Sequence, residues 1–386
     1  MTWRQHSPMK ISLNFRQIHN MNIRQNLILL FLALFAIPLQ AQTVRKYSNE
    51  FLSIGISAEG MAMGGAMAAG ADNVTAAYWN PAGLLLIGDN MQVGLMHAEY
   101  FAGIAKYDFG SVAIPLQKRD AVLAFSLIRF GVDDIPNTLF LIGPDGSINY
   151  DNITSFSVAD YAFMGSYATR LAWNNLRVGG SAKVVHRQAG YFAIAWGFGI
   201  DLGAQMDRGN WEFGLMLRDI TSTFNAWSFN FTEADQAVLV ATGNVVPESS
   251  LEITAPRIVL GAGYNAQLGE RFSLRPEINL DITTDGKRNV LLAADPFSMD
   301  PHMGIEAGYK NFIFLRAGVN NVQQAIADDA STESWVMQPN LGIGVVIGPV
   351  HLDYAYTNIG NQAEVLYSHV ISLELDMPSR EQAVEN

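Results

Sequence analysis

Residues 192–203 read Phe-Ala-Ile-Ala-Trp-Gly-Phe-Gly-Ile-Asp-Leu-Gly. In an extended strand successive side chains point to opposite faces. Phe192, Ile194, Trp196, Phe198, Ile200 and Leu202 therefore share one face, and Ala193, Ala195, Gly197, Gly199, Asp201 and Gly203 share the other. One face is bulky and apolar; the other is small or polar. The same two-faced pattern recurs at 271–283. There Phe272, Leu274, Ile278, Leu280 and Ile282 oppose Arg271, Ser273, Arg275, Glu277, Asn279 and Asp281. It recurs again at Met303, Ile305, Ala307 and Tyr309, and at 367–377.

Working outward, the period-two alternation predicts about fourteen strands. Their approximate spans are 90–98, 103–115, 120–130, 158–171, 174–187, 190–206, 210–220, 256–266, 271–283, 301–309, 311–319, 338–347, 349–357 and 367–377. Many approach the ~9–11 residues that a tilted membrane strand needs, and an even number suits an up-and-down barrel. Several connections are short, as at Asp207-Arg208-Gly209 and Gly348; others are long, at 131–157, 221–255, 284–300 and 320–337. Tight turns at one end and long loops at the other are the layout of a transmembrane antiparallel β-barrel. The rival is a water-soluble sandwich or propeller with the bulky rows turned inward. Small residues opposite the bulky ones point instead to a crowded lumen. Tyr100, Phe101, Tyr107, Tyr191, Phe192, Trp211, Tyr309, Phe312, Tyr354 and Tyr356 lie near strand ends, as interfacial girdles do.

Composition agrees. Only 16% of the 386 residues are charged, 49% are hydrophobic, and 34 are glycine. A net charge of −12 supplies no basic stripe, so nucleic acid is not an expected partner. The absence of cysteine excludes disulfides, thiolate chemistry and cysteine-based metal sites.

Arg24 precedes an apolar run from Leu27 to Leu39, followed by Gln40-Ala41. This is the order of a cleaved signal peptide over residues 1–41. Met21 is a plausible true start. Cleavage removes four basic residues and no acid, leaving a charge of −16. Residues 42–89 do not alternate and are rich in small side chains. They are read as a hatch folded into the lumen, ahead of a barrel over 90–377 and a tail over 378–386.

Within the hatch, the stretch Gly60 to Leu84 contains Met63-Gly64-Gly65-Ala66, Ala71-Asp72, Ala76 and Asn80-Pro81-Ala82-Gly83-Leu84. It resembles the start of the PorV/PorQ family of Bacteroidota outer-membrane proteins, which are related to FadL-type transporters. Gly131-Val132-Asp133-Asp134-Ile135-Pro136-Asn137-Thr138 is similar to the family's loop after the third strand. The resemblance implies a fourteen-stranded, hatch-plugged barrel in the bacterial outer membrane. It also implies a role in type IX secretion, with the translocon or exported proteins as partners. Gly64, Gly65, Asp72, Asn80, Pro81 and Gly83 become the candidate gating residues.

The chemistry of the remaining residues is consistent with binding and not with an enzyme. Arg271, Arg275, Glu277, Asp281, Glu306 and Arg316 are expected to face the lumen as a polar network. No catalytic set, metal spacing or cofactor loop appears among the seven histidines and the glycine pairs. Asp72 is a candidate cap for a short helix through Ala77. Apolar residues in the long loops, Phe140, Phe224, Trp227 and Phe229, form a candidate partner-binding rim. Lipopolysaccharide and outer-membrane lipid are further expected contacts. The alternative function is a FadL-like channel for a hydrophobic ligand.

Overall fold

A computed structural model of the chain describes residues 48–116, 119–143, 145–173, 176–326, 333–358 and 367–377. The expected signal peptide (1–41) and tail (378–386) lie outside the described residues.

The described strands are β1 (Met91–Tyr100), β2 (Ala105–Pro115), β3 (Ala121–Asn137), β4 (Thr154–Arg170), β5 (Arg177–Ala189) and β6 (Ala193–Arg208). Next come two interrupted strands. β7 runs Trp211–Arg218 and resumes at Phe224–Phe229. β8 runs Ser249–Ile253, Arg257–Tyr264 and Ala266–Leu268. The wall continues with β9 (Phe272–Thr283), β10 (Ser298–Tyr309), β11 (Ile313–Ile326), β12 (Glu333–Ile347), β13 (Val350–Asn358) and β14 (Tyr367–Met377). Each strand pairs antiparallel with the next, and β14 pairs back onto β1 from Met91↔Met377 to Glu99↔His369. These fourteen strands thus form a closed barrel with no free edge.

The alternation that marks each strand in the sequence separates lipid from lumen. On β6, Trp196 is 53% exposed and its neighbour Ala195 is 0% exposed. Leu95, Phe125, Phe163, Phe198, Ile278, Met303, Leu315, Leu341, Leu352 and Ile371 continue the exposed apolar belt around the outside. A belt of that extent has hydrocarbon as its solvent. Trp211, Phe272 and Phe312 mark the short-turn border of the belt.

Three expectations are corrected. First, Tyr100 and Tyr107 are not girdle residues. They are buried inside the barrel, where the Tyr107 hydroxyl donates to Phe51 O at 2.9 Å. Second, the long loops are shorter than their sequence gaps. β3 reaches Asn137, so residues 131–137 belong to a strand with a bulge between Val132 and Ile135, and Asp134 there has φ 57°. Third, 221–255 holds the outer halves of β7 and β8 and a helix, Glu233–Ala241.

Residues 48–88 lie inside. They form short helices α1 (Ala58–Ala62) and α2 (Ala76–Trp79) and single turns at Glu50–Leu52 and Pro81–Leu86. Asp72 does not cap α2. Thr75 is its N-cap residue, held by Asn73 Oδ1, which accepts from Thr75 N at 2.9 Å.

Candidate functional site

The interior divides into a hatch-filled half toward the short turns and a roomier half toward the long loops. In the first, wall glycines let the hatch backbone approach the sheet. A Cβ on Gly179 would lie 2.6 Å from Pro81 C, one on Gly214 2.0 Å from Ala68 O, and one on Gly318 2.3 Å from Gly64 N. Any side chain there would displace the hatch.

The candidate gating residues are where these contacts concentrate. Gly64 (φ 64°) and Gly65 (φ 77°) turn the chain past β11, and Gly64 O accepts from His302 Nδ1 at 2.9 Å. Asn80 is wholly buried. Its Nδ2 donates to Ala68 O at 2.7 Å and to Ala204 O at 3.1 Å, while its Oδ1 accepts from Ala82 N at 3.3 Å. Pro81 opens the following turn with the missing N–H that a first position does not need. Gly83 has no room for a side chain, since its Cβ would sit 2.0 Å from Ala71 O. Asp72 lies at the margin, 3.8 Å from Arg275 and about half exposed.

The lumen network assembles around a hatch residue that the sequence reading passed over, Glu59 of α1. Arg275 bonds Glu59 at 3.2 Å and Gly70 O at 2.8 Å. Arg316 lies 3.5 Å from Glu59, bonds Glu306 at 2.5 Å and also bonds Asp353. Glu277 accepts from Ala69 N at 2.8 Å. Two expected members fall outside. Asp281 sits higher, 3.7 Å from Arg257. Arg271 occupies the β8–β9 turn and is exposed, because the strand begins one residue later. Gln92, Gln205 and Ser372 also grip the hatch backbone, at Val74 N, Ala68 O and Ala58 N. Single polar residues in an alternating strand carry no signal that would have singled them out.

The four rim candidates do not form one surface. Phe224 pairs with Phe198, and both face outward. Trp227 pairs with Ala195 and Phe229 with Ala193, so both face inward. Phe140 is half-buried in the β3–β4 loop. What the structure brings together is an aromatic ladder that runs from the inward rings of Trp227 and Phe229 to Phe192 in the β5–β6 turn. Trp227 and Phe229 stack at 6.4 Å, Phe229 and Phe231 at 6.2 Å, Phe231 meets Phe192 at 5.8 Å, and Phe192 meets Phe156 at 5.3 Å. Arg187 lies over the Trp227 ring at 5.2 Å and is held there by Asp160 at 2.8 Å and Glu252 at 3.4 Å. The ladder exists because the interrupted β7 resumes along the outer half of β6.

Beneath the mouth, two cavities reach Tyr78 of the hatch and Arg218 of the wall. Their volumes are about 30 and 40 Å³. They hold a water or two, whereas a cavity of ~150 Å³ holds benzene. Arg218 clasps the hatch there, donating to Tyr78 O at 3.3 Å and lying 4.4 Å over its ring.

No protein-family model and no curated protein matches the sequence. Solved structures do match in shape. The toluene transporter TbuX of Ralstonia pickettii aligns with a TM-score of 0.50 at 13% identity, covering 84% of this chain and 99% of that one. The toluene transporter TodX of P. putida aligns with a TM-score of 0.51 at 15% identity, covering 84% and 99%. At that identity the fold is what is shared, and the chain has the barrel fold of these transporters over nearly their whole length.

Proposed function

We propose that the protein is a bacterial outer-membrane channel that admits small hydrophobic molecules, with residues 48–88 as its gate. The observation that carries this reading is the aromatic ladder Trp227-Phe229-Phe231-Phe192 at the long-loop mouth, whose Trp227 and Phe229 rungs face the hatch-filled lumen. Aromatic faces turned toward an entrance offer an apolar ring a place to leave water. The shared fold with two toluene transporters supports the same reading. Passage requires the hatch to shift, because its backbone is in contact with the wall glycines.

The test is uptake of a monoaromatic hydrocarbon by vesicles containing the purified barrel. Faster uptake than in protein-free vesicles, reduced by Trp227→Ala, is expected. Equal rates would refute the channel. A second reading, a protein-binding barrel of type IX secretion, is supported by the Gly60–Leu84 motif. Its test is co-purification of translocon components or exported proteins from outer membranes.

A further inference from the structure

Opposite the aromatic ladder the mouth has a different lining. A cavity of about 410 Å³ opens between the top of the hatch and β8–β12. Its volume falls within the ~300–1,000 Å³ of small-molecule pockets. Five carboxamides line it: Asn289, Asn320, Asn321, Gln323 and Gln338. The charged groups among them are already matched. Arg257 lies 3.7 Å from Asp281, Arg288 lies 2.6 Å from Asp285 and 3.4 Å from Glu50, and His302 lies 3.5 Å from Asp300. The lining therefore carries no unmatched cation to attract an anion.

Asn289 is committed to Gln323 and Gln324, and Gln338 Nε2 to Thr357, but hydrogen-bonding capacity is left over elsewhere in the lining. A carboxamide offers two donors and an acceptor with two lone pairs. The Asn321 amide has no partner among the described residues. Asp300 Oδ1 is enclosed without a protein partner. Asn320 uses its Oδ1 on Asn340 at 2.9 Å, which leaves its Nδ2 directed to other use. Mixed donors and acceptors with balanced charge match a neutral group that both donates and accepts at several points, which is the chemistry of a hydroxyl-rich ring.

We infer that this cavity is a subsite for an uncharged, polyhydroxylated group. The preferred substrate of the channel is then an amphiphile, with a sugar-like head in the carboxamide cavity and an apolar or aromatic body on the Trp227 side. This deepens the channel reading and rests on it for the apolar half.

The experiment titrates the full chain, purified in a sugar-free amine-oxide detergent, with phenyl β-D-glucoside, glucose and toluene, followed by calorimetry. The expected result is that phenyl glucoside binds several-fold more tightly than toluene. Two variants test the cavity. Asn321→Gly removes the amide and keeps the left-handed backbone (φ 53°), and Asn320→Asp keeps the oxygen that accepts from Asn340 Nδ2 while removing the uncommitted Nδ2 donors. Each is expected to lower the glucoside-to-toluene affinity ratio by roughly two- to tenfold, the span of a lost hydrogen bond. A ratio near one in the parent, or a ratio unchanged in both variants, would overturn the subsite. Glucoside binding without toluene binding would overturn the hydrocarbon channel and leave the subsite standing. No binding of either would overturn both.

Discussion

At the short-turn half of the lumen, hatch backbone meets wall backbone at Gly179, Gly214 and Gly318 with no space for a methyl group. At the long-loop half, side chains line a space: aromatic rings along β6 and β7, and carboxamides along β9–β12. The first half is sealed by shape, the second is furnished for contact. Under the proposed function, binding and barring fall to different residues, and each can be altered without touching the other.

The largest expected effect comes from breaking the seal. In Gly214→Val the Cβ falls 2.0 Å from Ala68 O and 2.3 Å from Ala68 C, both backbone atoms that cannot yield locally. The hatch is expected to be displaced, giving large, steady ion conductance in planar bilayers where the parent is closed. A silent Gly214→Val channel would show that the seal lies elsewhere. Arg275→Ala comes next. It removes the partner of Glu59 and Gly70 in a buried ion cluster. Breaking such a cluster costs about 3–5 kcal/mol, read as a lower urea midpoint in lipid vesicles.

Changes at the mouth are smaller. Trp227→Ala removes one rung of the ladder and the face beneath Arg187. Aromatic pairing is worth about 0.5–1.5 kcal/mol beyond burial, so hydrocarbon uptake is expected to fall a few-fold, with the unfolding midpoint lowered by less than in Arg275→Ala. The smallest effect is a pH response in the β9–β10 loop. Burial raises the Asp285 pKa, but the Arg288 guanidinium outweighs it and holds the carboxyl below its ordinary 3.8. A lowered folded-state pKa adds stability that is present above 3.8 and lost as the pH falls through the folded value. Amide protection in residues 284–297, with exchange corrected for its intrinsic pH dependence, is expected to be flat down to about pH 4 and to fall only below it.

Much of the barrel was legible because lipid imposes a strict period of two. The strand at 192–203 is readable from Trp196, Phe198 and Leu202 alone. The lumen was harder, since polarity does not mark its walls. Met96, Tyr107, Phe109 and Ile128 are apolar and face inward, because the hatch supplies them with an apolar partner. Around Tyr107 the pattern is therefore inverted: Tyr107 and Phe109 face in, while Lys106, Asp108 and Gly110 take the other face. The break in β7 was hidden for a different reason. Residues 219–223, with Asp219 and Ser222 at φ 54° and 57°, look like the start of a loop. The aromatics beyond them then read as a loose rim instead of a resumed strand. The wall glycines were visible as a small-residue row, but the hatch partners of Gly179, Gly214 and Gly318 lie 98 to 254 residues away in sequence.

The barring role of the hatch can be tested by tying it to the wall. An ideal Cβ on Gly94 of β1 lies 3.9 Å from Val74 Cβ in the hatch, within the ~3.5–4.5 Å of a disulfide. The chain has no natural cysteine to interfere. In vesicles carrying Val74→Cys/Gly94→Cys, hydrocarbon uptake under oxidising conditions is expected to drop to the protein-free rate and to recover when the bond is reduced. Undiminished uptake by the fully oxidised protein would contradict a gate that must move.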